Sequence, residues 1–189
     1  MIFKDTGLQG AYLIEIEKVE DERGFFARAF DRKAFEAHCL DTDLEHCSIS
    51  FNKKAGTLRG IHFQIAPMEE TKLIRCTRGV IFDVIVDLRQ NSPTYLRHFA
   101  EQLSEDNHLA IYAPKGFGHG FVTFKDGCEV FYQMSGCYSP EHARGIRWDD
   151  PVLGIEWPIQ HPIISPKDKS YLNFNATMNG NLSHQKGME

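Results

Sequence analysis

Apolar and polar residues alternate at every second position through much of this chain. The clearest run is Gly79–Arg89, where Phe82, Val84, Val86 and Leu88 fall on one face and Asp83, Asp87 and Arg89 on the other. A period of two is that of a β-strand. Runs at Gly10–Glu17, His46–Asn52, Thr57–Gln64, Lys72–Thr77, Leu109–Ala113, Gly120–Phe124 and Glu129–Ser135 predict further strands. Turn residues separate them at Gly56, Asn91-Ser92-Pro93, Pro114-Lys115-Gly116 and Lys125-Asp126-Gly127. A short helix is predicted over Asp31–Leu40, with Asp31 as N-cap. Many short strands at this spacing specify an antiparallel sandwich or barrel. A jelly roll is expected, because its concave mouth can hold a ligand.

The length of 189 residues suits one domain, placed at residues 1–175, with a polar, aperiodic tail at 176–189. A net charge of −5 argues against nucleic acid held on a basic surface. The five cysteines are odd in number and no two are spaced CxxC, so neither a disulfide framework nor a zinc site is expected. A reducing cytoplasm suits them. The N-terminal residues lack the apolar core of a signal peptide, and no apolar run is long enough to span a membrane.

Candidate chemistry starts at His62, in Gly56-Thr57-Leu58-Arg59-Gly60-Ile61-His62-Phe63-Gln64. In a regular strand Arg59 and His62 point to opposite faces. A bulge at Gly60 brings both into one pocket. Lys72 opens the next strand; a lysine there is ordinarily solvent-facing. His119 follows the turn Pro114-Lys115-Gly116 in a P-x-G-x-x-H pattern, half of the metal-binding pattern of cupin barrels. The other half is absent, and two histidines are a thin ligand set, so no metal is expected. Tyr132 alternates with Val130 and Met134, as a core tyrosine or as a proton donor facing the cavity of His62. Asp168, in Ser165-Pro166-Lys167-Asp168, matters if it reaches His62, where it fixes the tautomer.

These segments, in their order along the chain, resemble the dTDP-4-dehydrorhamnose 3,5-epimerase family. The resemblance runs from Asp21-Glu22-Arg23-Gly24-Phe25-Phe26 through the Arg59–Gln64 segment, Lys72-Leu73-Ile74-Arg75, Asp87-Leu88-Arg89 and Gly116–Phe121. It continues through Gly145–Pro151, Gly154–Pro158 and Ser165–Asp168. It implies a cupin-like jelly-roll barrel with short peripheral helices and an N-terminal arm. It also implies a cofactor-free homodimer with exchanged arms, acting on nucleoside-diphosphate 4-keto-6-deoxy sugars.

Residue by residue, the resemblance makes His62 the base, Asp168 its partner, Tyr132 the acid and Lys72 the oxyanion donor. It puts Arg23, Phe26, Arg59, Gln64, His119 and Tyr138 at the substrate. The chain departs from the family's Gln-x-Asn pattern at Cys47-Ser48-Ile49, and Phe26 is followed by Ala27-Arg28-Ala29 where a glutamate is usual. The nucleotide and the sugar therefore stay open. So does the choice between inversion at one carbon and at two. The alternatives are a non-catalytic sugar-nucleotide-binding module, which has no need of a base and its partner, and a metal-dependent cupin oxygenase.

Overall fold

The computed structural model describes residues 1–174; the tail expected at 176–189 lies outside them. The alternating runs become two facing antiparallel sheets. The six-stranded sheet has the order β1-β2-β10-β7-β12-β5. Its strands are β1 (Ile2–Asp5), β2 (Tyr12–Glu15), β5 (His46–Asn52), β7 (Lys72–Arg78), β10 (Ala110–Ala113) and β12 (Cys128–Met134). The five-stranded sheet, β13-β6-β11-β8-β9, comprises β6 (Leu58–Gln64), β8 (Val80–Asp87), β9 (His98–Ser104), β11 (Phe117–Thr123) and β13 (Ala143–Gly145). β3 (Val19–Asp21) and β4 (Gly24–Phe26) form a separate hairpin, the N-terminal arm.

Residues from the inner faces of both sheets interdigitate. Ile74, Cys76, Val130 and Tyr132 of the larger sheet meet Ile81, Ile85, Phe117 and Phe121 of the smaller one. The outer face of the smaller sheet is also buried, with Ile61, Val84, Val86 and Leu88 packed under Ile146 and Leu153. The apolar stripe of β8 is therefore the outer one, and the stripe carrying Asp83 faces the interior. On the outside of the larger sheet, Phe35 of α1 (Arg32–Ala37) covers Ile14, Leu73 and Tyr112. Asp31 caps α1 as expected, its side chain accepting from Ala34 N–H. The helix stops at Ala37, short of Leu40, and Cys39 takes a left-handed φ of 56°.

Beyond the predicted runs lie β3 and β4 of the arm and three strands of the two sheets. β1 and β13 are too short to show a period. In β9, residues 98–101 are all half-buried, which blurs the alternation. β11 begins at Phe117 rather than Gly120, so His119 lies within a strand and not at its start. Among the described residues no helix is long and apolar enough to cross a membrane.

One irregularity sets the inner face of β6. His62 pairs with His119 and Arg59 with Phe121, so the three-residue step from 59 to 62 on β6 matches a two-residue step on β11. Directly opposed residues share a face, so Arg59 and His62 both turn inward. The extra residue is Gly60, with φ of 123°. A Cβ there would lie 2.5 Å from Gly120 Cα and 2.7 Å from the His119 carbonyl oxygen. The bulge inferred from the sequence is thus present, and only glycine fits it. Gly60→Ala is expected to destabilise the protein by roughly 2–4 kcal/mol. Urea unfolding of the variant measures this, and wild-type stability would refute the constraint.

Candidate active site

Asp168 reaches the end of β6 from α2 (Pro166–Lys169). Ser165 caps this helix and Pro166 opens it, so the chain turns sharply inward. The Asp168 carboxylate accepts from His62 Nε2 at 2.9 Å and from the Gly60 N–H at 3.4 Å. The aspartate side chain is only 6% exposed, whereas the imidazole is 41% exposed, so the dyad has a dry back and an open front. Burial alone raises the Asp168 pKa. The bonds from His62, Gly60 and Ser165, with the charge of His62, outweigh it and hold the carboxyl below its ordinary range. With Nε2–H donated to Asp168, the second ring nitrogen of His62 is left as acceptor.

Tyr171 supports the ring from the side. Its ring meets that of His62 edge-on, with centroids 5.9 Å apart. It lies flat on Gly145, where a Cβ would come within 2.2 Å of the Tyr171 ring.

Beside His62, on β11, lies a second and fully buried dyad. His119 Nε2 bonds Asp83 Oδ1 at 2.8 Å, and Asp83 Oδ2 has no hydrogen-bond partner among the described residues. The Tyr132 ring stands edge-on to His119, with centroids 5.7 Å apart. Burial, reinforced by the charge of Asp83, pushes the Tyr132 phenol well above its ordinary range. The hydroxyl therefore keeps its proton. Arg59 donates through Nε to Asn52 Oδ1 at 2.8 Å. Asn52 is itself buried and donates to the Ser50 and Cys128 carbonyl oxygens.

Lys72 departs from the ordinary placing of a lysine at a strand start. Its side chain is 8% exposed and pairs with Glu70, 7% exposed, at 3.3 Å. Lys72 lies opposite Met134 on the inner face of the larger sheet, two positions along from Ile74, which opposes Tyr132. His62, Asp168, Tyr132, Arg59, His119 and Lys72 thus share the space between the two sheets.

Gln64 does not offer a free amide to that space. Its Nε2 lies within hydrogen-bond distance of the Met68 and Cys137 carbonyl oxygens and of Glu70 Oε2, while Oε1 accepts from Ser139 N–H. Its surroundings give it a structural task in place of the substrate contact expected for it. Arg23 and Phe26 remain on the arm, Arg23 paired with Asp21 in the hairpin turn and Phe26 exposed. Tyr138 is exposed. The departure at Cys47 and Ile49 falls on the outer face of β5, because Ser48 opposes the inward Tyr132. The inward residues of β5 are His46, Ser48 and Ser50.

Sequence reasoning missed Asp83, Glu70, Asn52 and Tyr171. Asp83 had a visible signal, a carboxylate in a strand whose neighbours are nearly all apolar. Glu70 and Asn52 lie at strand ends, where polar residues are ordinary.

The Asp168 carboxylate, held below its ordinary pKa, stabilises the fold above the unfolded carboxylate value, about pH 4. That contribution is lost as pH falls through the lower folded value. Asp168→Asn is therefore expected to melt below wild type at pH 7, with the gap closing on acidification below about pH 4. Melting curves of both proteins from neutral to acidic pH measure it, and a gap independent of pH would refute the pairing.

Residues 5–176 match the family described as dTDP-4-dehydrorhamnose 3,5-epimerase. A Sinorhizobium fredii protein of that name is 41% identical over 171 residues, covering 90% of this chain and 88% of the relative. A dTDP-4-dehydrorhamnose 3-epimerase from Streptomyces niveus is 36% identical over 173 residues, covering 91% and 83%. The crystal structure of the Bacillus anthracis 3,5-epimerase with TDP and PPi bound superposes with a TM-score of 0.88 at 39% identity, covering 92% of this chain and 99% of that one. The likeness thus spans the arm, both sheets and the helix that carries Asp168, and the chain belongs to the dTDP-4-dehydrorhamnose 3,5-epimerase family.

Proposed function

We propose that this protein is a cofactor-independent epimerase that inverts C3, C5 or both in a nucleoside-diphosphate 4-keto-6-deoxyhexose. The observation that carries the reading is the His62–Asp168 dyad. His62 stands beside His119, whose ring meets that of the buried, protonated Tyr132. A 4-keto group acidifies the hydrogens on C3 and C5. His62 removes one of them, and Asp168 steadies the imidazolium that forms. The electrons move onto the keto oxygen as an enolate. The Lys72 ammonium is the donor for this oxyanion, and a well-placed donor in a dry site contributes about 3–4 kcal/mol. Tyr132 then donates its proton to the opposite face of the carbon, which inverts the centre.

His62 and Tyr132 stand on facing sheets, which suits approach to a planar enolate from opposite sides. A module that only binds sugar nucleotides needs neither the dyad nor a buried phenol. The B. anthracis relative binds TDP, and thymidine diphosphate is the first choice for the nucleotide end of the substrate here. Arg59 and, from a partner's arm, Arg23 suit its phosphates.

Arm exchange is part of the same proposal. Val19 and Phe26 oppose each other on the arm hairpin and are 73% and 75% exposed. On the edge strand β5, Ile49 and Phe51 are 62% and 48% exposed on the outer face. An apolar arm and an apolar sheet edge left open in one chain suit mutual cover in a homodimer. All five cysteines are free thiols, which suits the reducing cytoplasm.

The direct test is incubation with dTDP-4-keto-6-deoxyhexoses in deuterated water, read by NMR. Deuterium at C3 and C5 supports double epimerisation, and at one carbon the single variant. His62→Ala is expected to abolish exchange, and Tyr132→Phe to keep exchange while losing inversion. Wild-type inversion in either variant would refute the assigned roles. Val19→Asp is expected to shift the protein from dimer to monomer in sedimentation velocity, and an unchanged dimer would refute cover by the arm.

A further inference from the structure

Glu70 lies in the interior without a part in the proton transfers. Its carboxylate faces two ways. Oε1 is 3.3 Å from the Lys72 ammonium, and Oε2 accepts from Gln64 Nε2 at 3.1 Å. Gln64 is in turn fixed by the Met68 and Cys137 carbonyl oxygens and by the Ser139 N–H. The carbon stem is confined as well, since a Cβ added at Gly136 would lie 3.1 Å from Glu70 Cβ. The carboxylate is therefore held, through Gln64, by the backbone of Met68, Cys137 and Ser139.

A buried ammonium is costly without a counter-ion. A lysine's four-carbon stem also leaves its charge poorly placed unless something holds it. Glu70 meets both needs. We propose that Glu70 is a positioning residue for the epimerisation: clamped by Gln64, it keeps the Lys72 ammonium aimed at the oxygen of the enolate. The inference rests on the function proposed above. It also gives Gln64 its task, as the clamp of the clamp.

The test compares wild type, Glu70→Gln, Glu70→Asp, Lys72→Ala and the double variant Glu70→Gln/Lys72→Ala. Deuterium exchange with a dTDP-4-keto-6-deoxyhexose gives kcat and KM, and calorimetry gives the Kd for dTDP. Glu70→Gln is expected to lose about ten- to a hundredfold in kcat, the scale of a misplaced catalytic group, with the dTDP Kd within about twofold of wild type. Glu70→Asp keeps the charge and should recover part of the loss. It also decides the matter if the glutamine variant does not fold: reduced kcat with wild-type Kd supports the proposal, and wild-type kcat overturns it. In the Lys72→Ala background the Glu70 substitution should cost nothing more, because its effect passes through the ammonium. An equal loss in that background would overturn the proposal. Wild-type protein that exchanges no such sugar would overturn the epimerase reading itself, and this inference with it. Normal exchange in Glu70→Gln would sink this inference alone.

Discussion

The space between the two sheets holds charge in a place built for apolar side chains, and pairing is what makes that tolerable. An isolated ion in such an interior costs several kcal/mol even after relaxation. Here the carboxylates of Asp168, Asp83 and Glu70 each lie within 3.3 Å of a nitrogen of His62, His119 or Lys72. Two of the pairs, Asp168 with His62 and Asp83 with His119, join distant stretches of chain and so fix how β6, β8, β11 and α2 sit; the third joins Glu70 and Lys72, two residues apart. Removing one partner leaves the other buried and alone, which costs more than the pair was worth. The site and the fold are for this reason hard to vary separately.

The pairing also sorts the polar groups by solvent. Asp168 is dry while His62 is half open, so the imidazole is held from behind and free to meet a ligand in front. Among the described residues no carboxylate is bonded to Tyr132, which keeps its proton by burial beside Asp83. The half-open imidazole and the buried phenol thus differ in depth as well as in residue type.

Much of this was legible in the chain. Period-two alternation located eight of the strands, one of them, His46–Asn52, to the residue. Glycine at position 60 between two inward-demanding residues signalled the bulge. The alternation of Tyr132 with Val130 and Met134 placed the phenol inside. What stayed hidden has a common cause. A strand pattern shows that a face differs from its opposite, and not which of two buried faces lines a cavity, so Asp83 on β8 read as a polar outside. Lys72 was expected at the surface because it opens a strand, and its counter-ion Glu70 lies before β7, outside the strand pattern. The outward turn of Cys47 and Ile49 depends on register with β12, which local sequence does not carry.

His62 and Asp168 lie 106 residues apart in sequence, and Asp168 arrives on the last helix described. Strand pairing in this topology is similarly remote, with β2 on β10 and β5 on β12. Such contacts form late, because long loops must close before they contribute. During synthesis the chain emerges from its N-terminus. The arm, both histidines and Tyr132 are therefore made before Asp168 exists. A nascent or prematurely ended chain holds an unanchored imidazole in an unfinished mouth. The dyad is thus completed only after every strand of both sheets has been made, so the imidazole gains its anchor last.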